Sequence, residues 1–160
     1  FYALAGNVAL NNCFNAQVKL AAIGQNTGEM QVPQPDYLQP SSFGSLELKS
    51  SSKNEFIGQK IDYSSEHLVK ISMLSIDSLQ LERVDFIKLD IEGMEMEALL
   101  GAQQTITLNK PQFIVEKIKS DASQIRSFLE PIGYHIVASG INFIAIHESD
   151  PTLKHLKKHP

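Results

Sequence analysis

Residues 86–116 read FIKLDIEGMEMEALLGAQQTITLNKPQFIVE, and this stretch decides the fold. Phe86–Ile91 is an apolar run of strand length and composition. The sequence EGMEMEALLGAQQTITLN then switches to helical spacing, with Met96, Leu99, Leu100 and Ile106 on one face. Phe113–Ile118, FIVEKI, is a second strand. Two nearly apolar strands joined by a helix require a crossover connection, and so a parallel pair buried on both faces.

The pattern continues downstream. DASQIRSFLEPIG reads as a helix with Asp121 at its N-cap and Ile125, Phe128, Leu129 and Ile132 on one face; Pro131 and Gly133 stop it. YHIVAS and NFIAIH form a hairpin around Gly140–Ile141, followed by a polar tail over 148–160 that is expected to fray. Upstream, SIDSLQLE reads as a short helix. VKISML, Val69–Leu74, and VKLAAIG, Val18–Gly24, read as strands. Phe1, Leu4, Ala5, Val8 and Ala9 fall at helical spacing. Between them, residues 25–67 are rich in serine and punctuated by Pro33, Pro35 and Pro40, with only GEMQV and GSLELK strand-like. That is too long for an ordinary connection, so it is expected to be an insertion or mobile lid over the acceptor side. The expected architecture is α/β: an open, doubly wound, mostly parallel sheet closed by a C-terminal antiparallel hairpin.

Composition narrows the function. A chain of 160 residues fits one domain. A net charge of −4 without a long Lys/Arg run argues against nucleic-acid binding. No apolar stretch approaches the ~20 residues needed to span a bilayer. The single cysteine, Cys13, excludes an internal disulfide; it fits a reducing compartment, and a cytoplasmic location is expected. Phe1 opens within a helical pattern rather than at a signal peptide, so the chain is expected to be a piece of a longer polypeptide.

In open α/β sheets ligands bind beyond the carboxyl ends of the strands. The first strand delivers Asp90, Glu92 and Gly93 there, and its neighbour delivers Glu116. Adjacent strands lie roughly 4.8 Å apart, so Asp90 and Glu116 share one mouth. These acids either bind a substrate, cofactor or metal, or are neutralised by Lys88 or Lys117. No two glycines are two residues apart, so a dinucleotide fingerprint is absent, and so are a P-loop and a G-x-S-x-G elbow. His155 and His159 have a metal-ligand spacing but sit in the solvated tail. His135 and His147 read as structural, Cys13 as core, and Met94 and Met96 as helix packing.

The stretch LSIDSLQLERVDFIKLDIEGMEMEALLGAQQTITLNKPQFIVEK resembles the C-terminal half of the FkbM-type S-adenosylmethionine-dependent methyltransferases. The matching positions are Ile76-Asp77, the run Lys88, Asp90, Glu92, Gly93, Glu95, then Leu100-Gly101-Ala102 and Val115-Glu116. Ile76 stands where the family usually has Leu. Upstream, GNVALNNCFNAQVKLAAIGQNTGEM and SFGSLEL are similar to the family's preceding helix, strand and insertion, so the resemblance spans roughly residues 4–147.

The resemblance implies a Rossmann-like sheet whose first two strands are missing here, S-adenosylmethionine as cofactor, and methyl transfer to a hydroxyl of a sugar or natural product. It places Ala22, Ile23 and Gly24 near the adenine and Asp90 near the methyl group. Asp90, Glu92 or Glu116 would accept the acceptor's proton. A second version places a divalent ion between Asp90 and Glu116; no complete oxygen-rich ligand set is in view, so it ranks below the carboxylate base and no metal ligands are assigned. Without its first strands the piece alone is expected to be inactive, and to be unstable or to pair its open edges in an oligomer. The rival readings are a non-catalytic module that binds a glycan or a partner, and a nucleotide-sugar enzyme, which would need the absent phosphate loop.

Overall fold

The computed structural model describes residues 1–52 and 54–156. Its strands form two mixed sheets. In the first, β1 (Ala21–Ile23) runs parallel to β3 (Leu68–Leu74), and β2 (Gly28–Pro33) lies antiparallel on the other side of β3. In the second, of order β4-β5-β7-β6, β4 (Phe86–Leu89) is parallel to β5 (Gln112–Glu116). β7 (Asn142–His147) pairs antiparallel with β5 and with β6 (Tyr134–Ser139), closing the expected hairpin. Two pairings are thus parallel and three antiparallel, in place of one mostly parallel sheet. The reason is local: GEMQV folds back onto β3, and the hairpin inserts its second strand, not its first, beside β5.

The helices are α1 (Tyr2–Leu10), α2 (Glu95–Leu100), α3 (Gln103–Asn109) and α4 (Ala122–Leu129). The core lies between the second sheet and α2–α4. Leu99, Phe113, Val115, Ile125 and Leu129 are fully buried there, and Ile106 is 2% exposed. Each such side chain contributes about 1.5–3 kcal/mol of apolar burial. Tyr134 adds its ring to this core and donates its hydroxyl to the Pro111 carbonyl at 3.0 Å.

The single helix expected over 92–109 is two. α2 ends at Gly101, whose carbonyl accepts the Asp77 N–H at 2.8 Å. Asp77 then caps α3 through its side chain, accepting from the N–H groups of Gln104 at 3.0 Å and Thr105 at 2.8 Å. A distant residue therefore supplies the cap that the local sequence lacks. SIDSLQLE holds one 3₁₀ turn, Asp77–Leu79, and GSLELK finds no strand partner among the described residues, its first two residues lying in the turn Phe43–Ser45.

α1 buries none of its residues, and Cys13 is exposed, not core. The tail is ordered further than expected: Asp150 caps the turn Pro151–His155, and Gln112 Nε2 donates to Asp150 and Thr152. His147 is buried, its Nδ1 2.8 Å from Ser149 Oγ, in the structural role expected. His159 lies outside the described residues. No helix among the described residues is long and apolar enough to cross a membrane.

Candidate functional site

β4 ends at Leu89, two residues sooner than expected, because the chain turns sharply. Glu92 has φ +56 and Gly93 φ +93. Gly93 adopts that conformation freely, whereas for Glu92 it costs about 1–2 kcal/mol. Glu95, 1% exposed, holds the turn from inside: its carboxylate accepts the N–H of Ile91 at 3.0 Å and of Gly93 at 3.1 Å, and also the Ser120 hydroxyl. The turn sets Asp90 and Glu92 at the carboxyl end of β4. The parallel register, Leu89 opposite Val115, brings Glu116 level with them. Carboxylate oxygens of Asp90, Glu92 and Glu116 lie within 4.8 Å of one another. With one oxygen from each they would fill about half of a divalent cation's usual set.

The three acids differ in environment. Asp90, just past the end of β4, is paired with Lys88 within it, and this ammonium holds its carboxyl below the usual range. Glu92 is paired with Lys119 at 2.7 Å. Among the described residues Glu116 has no ion pair. Burial, then the charges of Asp90 and Glu92, pushes it above the usual range. Lys117 takes no part; its ammonium lies 5.4 Å from the Phe143 ring centroid. Neutralisation by neighbouring lysines therefore accounts for Asp90 and, through Lys119, for Glu92, but not for Glu116.

A cavity of about 760 Å³ opens between this turn and the segment that precedes β3. Glu92, Gly93, Met94 and Lys119 form one wall and Glu47, Lys49 and Glu55 the other. A second cavity, of about 280 Å³, lies at the carboxyl end of β1 and is lined by Gly24, Gln25, Asn26, Met73 and Met94, with Lys49 and Glu97. Lys49 and Met94 border both spaces, and Lys49 pairs with Glu97 between them. Of the three residues expected on the adenine side, Gly24 opens onto this second cavity. Ala22 is 7% exposed within β1, and Ile23 packs against the main core.

The FkbM methyltransferase domain matches residues 4–136, from α1 into β6. The chain belongs to the FkbM methyltransferase family. No match to it is found among curated proteins or among solved structures. The span that carries the FkbM match contains all three carboxylates and the linings of both cavities.

Reading the sequence of this FkbM chain alone misses four participants in the site. Glu95 stands in the quoted Lys-x-Asp-x-Glu-Gly-x-Glu run, but only the fold shows that it braces the turn. Lys119, Glu47 and Glu55 carry no local signal, because their partners are distant along the chain.

Proposed function

We propose that this protein transfers a methyl group from S-adenosylmethionine to a hydroxyl oxygen of a sugar or other polyhydroxylated natural product. The observation that carries the reading is Glu116: a carboxylate without an ion pair among the described residues, made more basic by burial and two acidic neighbours, at the carboxyl ends of parallel strands. Family membership supplies the reaction class.

The space at Gly24 suits the adenine end of the cofactor. Met30, Met73 and Met94 give it apolar faces, and Gln25 and Asn26 bring amide groups able to hydrogen-bond a purine. A side chain at Gly24 would meet Met73 Sδ at 2.7 Å, so the glycine keeps this wall thin. When bound, the cofactor supplies an electrophilic methyl group on a sulfonium sulfur. We place Asp90, just beyond the end of β4, on the methyl side.

The acceptor hydroxyl must be oriented and lose its proton. In our reading the acceptor occupies the larger cavity, whose carboxylates and serines suit hydroxyl groups. Glu116 stands behind that lining, its carboxylate within 4.8 Å of the lining residue Glu92, so an acceptor hydroxyl that reaches past Glu92 donates to Glu116, which takes the proton as the oxygen accepts the methyl group. Lys88 keeps Asp90 charged, and the negative neighbours Asp90 and Glu92 keep Glu116 basic. β1 and β4 each pair on one side only among the described residues. We place there the two strands that would hold the ribose and methionine ends of the cofactor, so residues 1–160 alone are expected to transfer no methyl group.

Calorimetric titration of the full-length protein with S-adenosylmethionine, followed by transfer of labelled methyl to a panel of polyols and glycosides, tests the proposal. Saturable binding with label on an acceptor oxygen is the expected result. Cofactor binding without transfer to any hydroxyl compound would remove the acceptor assignment, and no binding would remove the activity.

A further inference from the structure

Among the described residues from 36 to 67, only Ile57 is buried, so apolar burial does little to hold this segment in place. Polar contacts do the holding, and they converge on Lys119. Its ammonium lies 2.7 Å from Glu92, 3.1 Å from Glu55 and 3.4 Å from Glu47, and donates to the Ser45 carbonyl at 3.0 Å. The Lys119 side chain is 14% exposed. Burial opposes its charge, yet Glu92, Glu55 and Glu47 hold its pKa above the usual lysine range.

The segment is organised around the same point. Glu47 accepts from the Glu55 N–H at 3.2 Å and from the Asn54 side chain, and Tyr63 donates its hydroxyl to the Glu47 carbonyl at 2.8 Å. Ser42 and Ile57 close the base of the loop through a backbone hydrogen bond of 2.7 Å. One ammonium thus joins a self-bonded loop to Glu92, and the 760 Å³ cavity is the space between them. Only one other ion pair, Lys49 with Glu97, ties this loop to a helix among the described residues.

We propose that Lys119 is a positioning residue that holds the described residues of 43–63 against the turn after β4, and so builds the wall that captures the acceptor. This rests on the methyl-transfer reading for the identity of the captured molecule, but not for the tether itself. Lys119 touches no reacting atom. Its loss is expected to weaken acceptor capture while leaving the proton-accepting carboxylate, Glu116, in place.

Hydrogen–deuterium exchange of the full-length protein, without any ligand, tests the tether. Lys119→Met should raise exchange in 43–63 by on the order of tenfold or more, the effect of losing charge-assisted hydrogen bonds. Exchange in β5 and β7 should not change, which separates release of the loop from global unfolding. Lys119→Arg should restore protection. Should Lys119→Met fail to fold, Glu55→Gln gives a milder version, since that side chain is 55% exposed and carries one arm of the cluster.

In the transfer assay, Glu55→Gln, which loosens the tether and leaves the Lys119–Glu92 pair beside Glu116 in place, should raise the acceptor KM several-fold while kcat changes far less, the mark of lost capture. Protection of 43–63 that survives Lys119→Met or Glu55→Gln overturns the tether. A released loop with unchanged KM overturns its role in capture. A wild-type protein that binds no S-adenosylmethionine would instead sink the methyl-transfer reading, and the exchange result would still decide the tether.

Discussion

Gly24 and Gly101 meet backbone to backbone: a Cβ on Gly101 would stand 2.3 Å from the Gly24 carbonyl oxygen and 3.1 Å from Gln25 Cα. This contact locks the end of β1, in the first sheet, to the end of α2, beside the second. The obstacle is backbone on both sides, so a rotamer change cannot relieve it. Gly101→Ala is expected to cost about 1–3 kcal/mol, read as a lower Tm with two-state unfolding retained. An unchanged Tm would show that the two backbones have room to part.

Asp77 closes the same junction from the other side, and its contribution depends on pH. Burial opposes its charge, but hydrogen bonds from Thr105 and Gln104 outweigh that and hold its carboxyl below the 3.8 of an unperturbed aspartate. A group depressed in the folded state stabilises above its unfolded pKa and ceases to do so as pH falls through the folded one. Asp77→Ala should therefore cost about 1–2 kcal/mol at neutral pH. The gap from wild type should narrow only below 3.8. Urea unfolding across that range checks it; a gap that stays constant would show that the carboxylate's charge is irrelevant to the cap.

These two residues show what was legible in the sequence and what was not. The β4–β5 crossover, α4 with its Asp121 cap and the final hairpin were readable, because local periodicity and turn residues determine them. The break between α2 and α3 was not, since it depends on Asp77 and Gly24, both distant in sequence. GSLELK alternates like a strand but pairs with none among the described residues, its Glu47 being taken up by Lys119 and Tyr63 instead. The acidic mouth was readable from strand register. Its electrostatics were not, because Lys119 reaches the segment before β3 across 74 residues of chain to Ser45.

Glu95 is expected to act through geometry. Truncation to alanine leaves the N–H groups of Ile91 and Gly93 without their acceptor inside a turn where Glu92 already has φ +56. The expected cost is about 2–4 kcal/mol for two lost bonds to a charged group, together with loss of methyl transfer. Glu95→Gln keeps one acceptor oxygen and should recover part of both. Equal stability of Glu95→Ala and wild type in urea would show that the turn supports itself.

Glu116 gives the sharpest separation of chemistry from stability. Its carboxyl is raised above 4.5, first by burial and then by Asp90 and Glu92. A carboxylate raised in the folded state is destabilising at neutral pH, so Glu116→Gln should leave Tm unchanged or increase it. Turnover should nevertheless fall by about 10²–10⁴-fold if Glu116 is the general base. Asp90→Asn should also lower turnover, and its residual activity carries a further sign. Removing that negative neighbour lowers the Glu116 pKa, so the acid limb of the kcat/KM profile should move to lower pH. A limb that shifts upward, or near wild-type turnover in Glu116→Gln, would assign proton removal to another group.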